Sequence, residues 1–438
     1  MTYFNASKYI RNSPEEIPEK IPGTRLRTVW DHLGNPWKHL KYLRLAGSNG
    51  KTVCAEMLLS VFKHSNYVAG CFVTPIRAEI RDNVRINGAP ISFDDMAFYV
   101  GQIYQTVIRI NKEAESENQL RRQEAIKTET DPDILEPIVL TAHEILLTAA
   151  LLAFQSAGCQ LCLIESDHNR SDPTKYLPPP FAAAICGTIP SEDKKEIQKI
   201  RAYICHGIQE IVSAPQDRDA YRVISDTCAA INSRLTIPTK SEMEIHSLSL
   251  RGTDFSYRQQ SYRLGLCGKF QVTNAIVVLE ILSMLRRRGY CLTEEQIEKG
   301  LRLTKIPSKF EILSVSPTII ADSTHSDVAI ETVCDSMADF RSAIGSHVRL
   351  CLPNEALASR YLHVLTEKGY QIDRIIVFSM DFASSLLDDM PNVKLCQKAK
   401  EAVKYALDDL SKEEILLISG SSGFTSQIRH ELLSRLGF

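Results

Sequence analysis

The stretch Leu43-Arg44-Leu45-Ala46-Gly47-Ser48-Asn49-Gly50-Lys51-Thr52 decides the fold, because an apolar run turns through two glycines into a segment with helical apolar spacing. A strand, a glycine turn and a helix N-terminus direct backbone N–H groups toward one anion. We therefore predict a phosphate cradle formed by Gly47, Ser48, Asn49 and Gly50. A turn with a purely structural role has the same pattern, so this stretch alone leaves both interpretations open.

The two residues that follow the glycines have the chemistry of a nucleotide site. Lys51 would neutralise the outer phosphates, and the hydroxyl of Thr52 is the expected Mg²⁺ ligand. The full P-loop consensus is not met, because its first glycine would fall on Leu45. What remains is the shorter pattern Gly-x-x-Gly-Lys-Thr.

Length and composition indicate a globular protein with more than one domain. The chain has 438 residues, of which 44 % are hydrophobic and 24 % charged, and this length exceeds one ordinary core. The net charge of −2 gives no electrostatic reason to expect nucleic acid as a partner. Because no apolar run could span a bilayer and no signal core is present, we expect no membrane association and a cytoplasmic location.

The twelve cysteines are scattered singly through apolar stretches. This distribution favours buried thiols in a reducing compartment over a disulfide framework. Cys159 and Cys162 are predicted to lie in one strand with their thiols on opposite faces. We interpret them as core packing rather than as a redox or metal site, because no His or Cys cluster accompanies them.

Two further predicted strands end in polar residues. Thr74 follows the apolar run 67–73, and Glu165 ends the apolar run 159–165. In an open α/β sheet, a carboxylate at the C-terminal end of a strand points into the ligand crevice, where it can hold Mg²⁺ or its waters. From the residues alone, Thr74 is equally well a strand-end hydroxyl without a ligand.

The middle of the chain is predicted from its patterning. Helices are expected at 93–110 and 141–157, with the charged stretch 111–133 as a solvated helix end and a loop. Residues 242–265 alternate polar and apolar side chains, which predicts an antiparallel meander attached to the first sheet.

The C-terminal third has the pattern of a second doubly wound α/β unit, because short apolar strands alternate there with helices. These strands are expected at 348–352, 374–378 and 415–419. We therefore expect a first domain at 1–304, which contains the cradle, and a smaller α/β domain at 305–438; the family resemblance described next implies that the first domain binds ATP.

The segments around the cradle resemble a known family. Leu33-Gly34-Asn35-Pro36, Phe72-Val73-Thr74-Pro75 and Asn83-Val84-Arg85-Ile86-Asn87-Gly88-Ala89-Pro90-Ile91-Ser92 flank it in the order and spacing of folylpolyglutamate synthases. The chain thus resembles the Mur ligase superfamily, folylpolyglutamate synthase branch. The resemblance implies an α/β fold, in which a P-loop-containing doubly wound sheet domain of the Mur ligase central type precedes a smaller Rossmann-like domain.

The resemblance also implies which residues act in the site. Thr74 and Glu165 match the family's metal ligands, and with Thr52 they complete the expected Mg²⁺ set. Lys51, Glu165 and His325 are the implied catalytic residues.

Five later positions are implied to bind the nucleotide. Gln271 and Asn274 match residues near the adenine, and Lys309 replaces an arginine, so that the charge is kept and the bidentate fork is lost. Asp322 and His325 match the Asp and His of the family's Asp-Gly-Ala-His-Asn. Helix capping stays open as an alternative role for Asp322 and for the turn at 271–274.

The chain departs from the family where a second metal would bind. Ile189 and Pro190 stand in place of an Asp-His pair, and Arg201 stands at the position of a lysine that is often carbamylated. A shift of two residues would place Lys199 there instead. Because a guanidinium repels a dication, we expect one Mg²⁺ with ATP and no carbamate.

The reaction that the resemblance implies is ATP-dependent amide-bond formation. A small-molecule carboxylate becomes an acyl phosphate, and an amino acid, glutamate by the resemblance, then displaces phosphate. We expect ATP and Mg²⁺ as cofactors and a monomeric chain. Two alternatives remain: a degenerate homologue that binds ATP or a partner protein without ligation, and a P-loop NTPase or kinase of another class.

Overall fold

The chain divides into two compact units, each of which contains a sheet and helices. The computed structural model describes residues 1–18, 21–47, 49–77, 79–128, 130–167, 172–323, 327–378 and 392–436. The first unit comprises Met1–Pro238 and Val277–Gln296, and the second comprises Thr239–Ile276 and Ile297–Phe438.

The first unit is built on a mixed sheet. Its strands are β1 Tyr42–Ala46, β2 Ala69–Phe72, β3 Val84–Ile86, β4 Ala89–Pro90, β5 Leu161–Glu165, β6 Ala182–Ile185, β7 Glu210–Ser213 and β8 Arg234–Thr236. Among the described residues they pair in the order β4-β3-β2-β5-β1-β6-β7-β8. Strand β3 is antiparallel to both of its neighbours, β2 and β4, and the other pairs are parallel. The loops after β2, β5, β1 and β6 therefore leave the same edge of the sheet.

Helices of the first unit bury apolar side chains on this sheet. They are α1 Tyr3–Asn12, α2 Thr24–His32, α3 Lys51–Lys63, α4 Phe93–Thr128, α5 Ala142–Ser156, α6 Lys194–Tyr203 and α7 Arg218–Ala230. Side chains of α1, α2, α4 and α5 form one cluster with β2 and β5, and those of α6 and α7 form another with β6 and β7. The apolar runs in the sequence predict strands that are buried beneath helices, and this is the arrangement in the first unit.

The charged stretch 111–133 is a helix end followed by a loop, as predicted, but most of it is helical and only its last residues, 130–133 among those described, lie in the loop. Helix α4 continues to Thr128, and the Asn118 amide holds the backbone of Leu135 with hydrogen bonds of 2.7 and 2.9 Å. Arg121 pairs with Glu117 one turn earlier at 2.7 Å. Most of the charges thus lie on a solvated helix face. Across the described chain, no helix has both the length and the apolar content that a membrane span requires.

The rest of the chain supplies a further set of strands and helices. The strands are β9 Met243–Ser249, β10 Gly252–Tyr257, β11 Gln260–Leu264, β12 Glu311–Val315, β13 Thr318–Asp322, β14 His347–Leu352, β15 Gln371–Phe378, β16 Val393–Cys396 and β17 Glu414–Ser419. The helices are α8 Lys269–Arg287, α9 Glu294–Leu303, α10 Asp327–Asp339, α11 Arg341–Ile344, α12 Glu355–Glu367, α13 Ala399–Leu407 and α14 Ser422–Leu436.

The second α/β sheet has the order β12-β13-β17-β14-β15-β16 in the described residues, and only β12 is antiparallel to its neighbour. Successive residues of β13 enter different apolar clusters, Ile320 with α10 and α12, and Ile319 and Ala321 with α13 and α14. The sheet is therefore covered on both faces, and the prediction of a second doubly wound unit is confirmed.

The meander is antiparallel as predicted, but it does not extend the first sheet. Strands β9, β10 and β11 form a separate sheet within the second unit. Phe255, Tyr257 and Leu264 are buried, while Leu248 and Leu250 pack against the apolar core of that unit. The alternation correctly predicts one buried face but does not indicate which core it covers.

The cysteines are free thiols, and all but Cys205 and Cys291 are buried. The expectation that Cys159 and Cys162 point to opposite faces is wrong, because Cys159 precedes β5 instead of lying in it. A hydrogen bond between the two thiols lowers the pKa of Cys159 and raises that of Cys162.

A buried ion pair between two strands of the second α/β sheet provides a test of the stability of that sheet. Arg349 donates to the Glu414 carboxylate at 2.7 and 2.9 Å, and both side chains are nearly buried. Arg349→Ala would leave the Glu414 carboxylate without its cation, although the Ser411 N–H still donates to it, so we expect the free energy of unfolding to fall by about 3 kcal/mol. Arg263→Ala, which breaks the exposed pair with Asp254, should cost about 1 kcal/mol or less. Urea denaturation followed by circular dichroism measures both losses, and equal small losses would contradict the role of Arg349.

Candidate functional site

The predicted cradle is the turn that joins β1 to α3. Gly47 and Gly50 have φ angles of +112° and +79°, which favour glycine. A Cβ atom at Gly47 would lie 2.2 Å from the carbonyl oxygen of Cys186, so no side chain fits there. The predicted strand, turn and helix are confirmed, with Asn49 exposed in the turn. Ser48 lies outside the described residues.

The N-terminus of α3 is open toward this turn. Gly50 is the N-cap residue, and glycine offers no side chain to the first N–H groups of the helix. Those groups and the helix dipole together favour a negative charge. The geometry is therefore that of an anion site.

Lys51 extends from the first turn of α3 back over the cradle. Its Nζ atom donates to the carbonyl oxygen of Gly47 at 2.6 Å and lies 3.0 Å from Oδ1 of Asp167. Burial lowers the pKa of Lys51, but the carboxylates of Asp167 and Glu165 outweigh burial and the pKa is raised. Lys51 thus keeps a positive charge beside the turn.

Glu165 is fully buried at the end of β5, in register with Leu45 of β1. Its Oε2 accepts a hydrogen bond from the backbone N–H of Thr74 at 3.1 Å. The hydroxyl of Thr52 lies near the same side chain, where it lowers the pKa of Glu165. The structure therefore brings the three predicted metal ligands together around one carboxylate.

Among these three residues, two side-chain oxygens are suited to bind a cation. Oε1 of Glu165 and Oγ1 of Thr74 are buried and make no hydrogen bond within the described part of the chain. A set of hydroxyl and carboxylate oxygens is what Mg²⁺ prefers, and Mg²⁺ is often held by one carboxylate together with substrate phosphates. The latter arrangement suits this site, because the described residues contain no cluster of three His, Cys, Asp or Glu that could hold a metal alone.

Burial raises the pKa of Glu165 from 4.5 to about 7, although Lys51, the Thr74 N–H and the Thr52 hydroxyl oppose the shift. Between these two values the folded chain retains a proton that the unfolded chain releases. Glu165 therefore stabilises the fold below its ordinary pKa, and this contribution is lost as the pH rises through about 7.

Glu165→Gln should remove this pH dependence. Without metal at pH 8, we expect the variant to be more stable than the parent by about 2 kcal/mol, because the parent then carries a buried charge. Below about pH 5 the two proteins should converge. Thermal melts in EDTA across this pH range measure the difference, and a variant that melts below the parent at pH 8 would refute the explanation.

The two residues that the resemblance places near the adenine lie in the second unit. Gln271 and Asn274 are buried near the start of α8, where Nδ2 of Asn274 donates to Oε1 of Gln271 at 3.3 Å. Nε2 of Gln271 has no hydrogen-bond partner among the described residues. A buried amide of this kind is available to a ligand or a water.

Asp322 and Lys309 also lie in the second unit. Asp322 ends β13, and its Oδ2 accepts the backbone N–H of Phe310 at 2.6 Å. This bond fixes the turn that contains Lys309, in which Ser308 and Phe310 have positive φ angles. His325 lies outside the described residues.

Sequence reasoning missed the roles of two acids after β5. Asp167 pairs with Lys51, and the buried Asp172 accepts hydrogen bonds from Ser166, Asp167 and Thr174. The sequence Asp-Pro-Thr at 172–174 is a recognisable signal for the second role, because an Asp side chain often bonds the N–H two residues later. No local signal indicates the first role.

Comparisons with known proteins show which proteins the whole chain is similar to. No family model matches the sequence. A dihydrofolate synthase/folylpolyglutamate synthase of Bacillus subtilis is 21 % identical over 443 residues, which cover 93 % of this chain and 94 % of that protein. A probable bifunctional folylpolyglutamate synthase/dihydropteroate synthase of Haloferax volcanii is 22 % identical over 73 % of this chain, and the match spans only 37 % of that longer protein.

Two further matches extend the comparison. A UDP-N-acetylmuramoyl-L-alanyl-D-glutamate--2,6-diaminopimelate ligase of Clostridium acetobutylicum is 20 % identical over 94 % of this chain and 82 % of its own length. The solved Mycobacterium tuberculosis folylpolyglutamate synthase complexed with ADP and AMPPCP has a TM-score of 0.74 at 18 % identity and covers 98 % of both chains.

The fold, in which β1 lies between β5 and β6 and leads into the glycine turn, is that of the solved folylpolyglutamate synthase, and in sequence the chain is similar to a Mur ligase. In both sequence and fold the chain resembles the folylpolyglutamate synthases.

Proposed function

We propose that this chain is an ATP-dependent ligase that joins a carboxylate to an amino acid through an amide bond. The observation that carries the proposal is the convergence of Lys51, Thr52, Thr74 and Glu165 at the ends of three neighbouring strands. A lysine beside a glycine turn and buried oxygens fit ATP with Mg²⁺.

The proposed reaction begins with transfer of the γ-phosphoryl group of ATP to the carboxylate of the acceptor. The O–P bond to ADP breaks, an acyl phosphate forms, and the amine of the amino acid then attacks its carbonyl carbon and displaces phosphate. Lys51 neutralises charge that develops on the transferring group, and the cradle N–H groups orient the phosphates. Thr52, Thr74 and Glu165 would hold Mg²⁺, which offsets phosphate charge when bound.

The substrates are proposed from the relatives. Their names indicate dihydrofolate and folylpolyglutamate synthesis, so glutamate is the proposed amine and a folate or another pterin-like carboxylate the proposed acceptor. We further propose nucleotide contacts for Gln271, Asn274, Lys309 and Asp322, and also for His325 and Ser48.

Three further parts of the proposal concern the whole chain. We propose an ATP-binding domain at 1–304 and a C-terminal domain at 305–438; the strands of the second α/β sheet, β12 to β17, all lie within the latter range. We also propose a monomer that acts in the cytoplasm, where a reducing environment suits the free cysteines.

The ligase proposal is tested by product formation. The chain should release ADP and phosphate and form a glutamyl amide when it is given ATP, Mg²⁺, glutamate and dihydropteroate or a folate. Release of neither ADP nor phosphate with any acceptor would refute the ligase. Turnover with a muramyl peptide precursor but not with folates would change the proposed substrate.

Lys51→Ala should reduce product formation by about 100-fold or more, because the transferring phosphoryl group loses its cation. Melting should change little, since the Asp167 partner is partly exposed. Lys63→Ala is the matched control, because Lys63 is an exposed lysine in the last turn of the same helix. If Lys51→Ala binds MgATP as tightly as the parent, the cradle assignment is wrong.

We propose that one Mg²⁺ serves the reaction. Arg201 is exposed in the last turn of α6. The Lys199 ammonium donates at 2.9 Å to Glu196, which also accepts the Tyr203 hydroxyl at 2.7 Å. Carbamylation of Lys199 would replace this attraction with repulsion, which supports an uncarbamylated lysine.

A Mn²⁺ titration with a non-hydrolysable ATP analogue, followed by electron paramagnetic resonance, should therefore saturate at one ion per chain. Two tightly bound ions would contradict the proposal. Activity that increases on addition of bicarbonate would contradict it as well.

A further inference from the structure

Lys51 and Asp167 form an ion pair that the proposed reaction does not use. Their Nζ and Oδ1 atoms are 3.0 Å apart, and the two side chains are 13 % and 31 % exposed. The same ammonium donates to the carbonyl oxygen of Gly47 at 2.6 Å. The carboxylate therefore lies beside Lys51, where the cradle favours an anion.

The main chain of Asp167 is held in place by Asp172. The N–H of Asp167 donates to Oδ2 of Asp172 at 3.0 Å, and the same oxygen accepts the Ser166 hydroxyl at 2.8 Å. Oδ1 of Asp172 accepts the N–H of Thr174 at 2.9 Å, and Asp172 is 4 % exposed. With its N–H held in this way, Asp167 can withdraw its carboxylate from Lys51 by turning its own side chain.

The phosphates of ATP and the Asp167 carboxylate would compete for Lys51. Lys51 is the residue expected to contact the outer phosphates. Two anions within hydrogen-bonding distance of one ammonium lie only a few ångströms from each other, where like charges repel even in water. The phosphates therefore bind Lys51 more favourably when the carboxylate moves away, because one N–H of the ammonium is already donated to Gly47.

We propose that Asp167 is an internal substitute for phosphate, which holds Lys51 before the nucleotide binds and which the nucleotide displaces. Asp167 is then a positioning residue that sets the affinity for ATP. This inference rests on ATP binding in the cradle, which is the first step of the proposed function. Because Mg²⁺ offsets phosphate charge, the competition is strongest for metal-free nucleotide.

Asp167→Asn tests the competition, because it removes the charge and keeps the size of the side chain. With the full chain and a non-hydrolysable ATP analogue in EDTA, isothermal titration should show binding about five-fold tighter than the parent, as expected for loss of one nearby like charge. The gain should be smaller with Mg²⁺, and it should shrink in about 1 M salt, where the screening length is about 3 Å. In steady-state assays, KM for ATP should fall while kcat does not rise.

The matched control is Glu117→Gln, which removes a carboxylate that pairs with Arg121 on the exposed face of α4; it should leave the affinity unchanged. Asp167→Ala should show the same gain as Asp167→Asn, which provides a second variant if the first does not fold.

Equal or weaker binding of metal-free nucleotide by both Asp167 variants overturns the proposal, and so does an absence of binding by the parent and both variants. Weaker binding only with Mg²⁺ would make Asp167 a metal ligand instead. Failure of the ligase proposal gives a different result. In that case neither the parent nor any variant forms an amide, but the Asp167 variants still bind the nucleotide more tightly.

Discussion

The pairing of β1 with β5 is the constraint on which the site depends. Its register sets Glu165 beside Leu45, so that a buried carboxylate lies against the strand that leads into the cradle. Burial favours the protonated form of that carboxyl, while the Lys51 ammonium, the Thr74 N–H and the Thr52 hydroxyl favour the charged form. A cation bound at this carboxylate would reduce the same burial cost, which is why the strand register and the chemistry of the site are linked.

Features with local causes could be predicted from the sequence. The cradle depends on two glycines whose positive φ angles belong to a turn between an apolar strand and a helix, so a short stretch contains all the necessary information. Parallel strands such as β17 are buried on both faces, so they are continuous apolar runs that can be recognised in the sequence. Glu165 was found because its position at the end of such a run has a structural meaning in any open α/β sheet.

Features that depend on tertiary contacts could not be predicted. The charged residues along α4 do not show how far the helix continues, because the contact made by its later turns, between Asn118 and the backbone of Leu135, joins residues that are distant in the sequence. The pairing of Asp167 with Lys51 likewise joins residues from two different strand ends. In the sequence, an acid in a polar run after a strand has the same pattern whether it meets solvent or a cradle lysine.

In both units, an acid at the end of a parallel strand accepts a hydrogen bond from a backbone N–H of a nearby loop. Glu165 accepts the N–H of Thr74 after β2, and Asp322 accepts the N–H of Phe310 before β12. At Ser308 and Phe310, positive φ angles in residues other than glycine store strain that bonds to Glu311 and Asp322 must offset. Each acid therefore shapes a loop and also places a carboxylate at the carboxyl end of a parallel strand. Replacing either acid changes the loop and the charge together, so its chemical role has to be measured by metal or nucleotide binding as well as by activity.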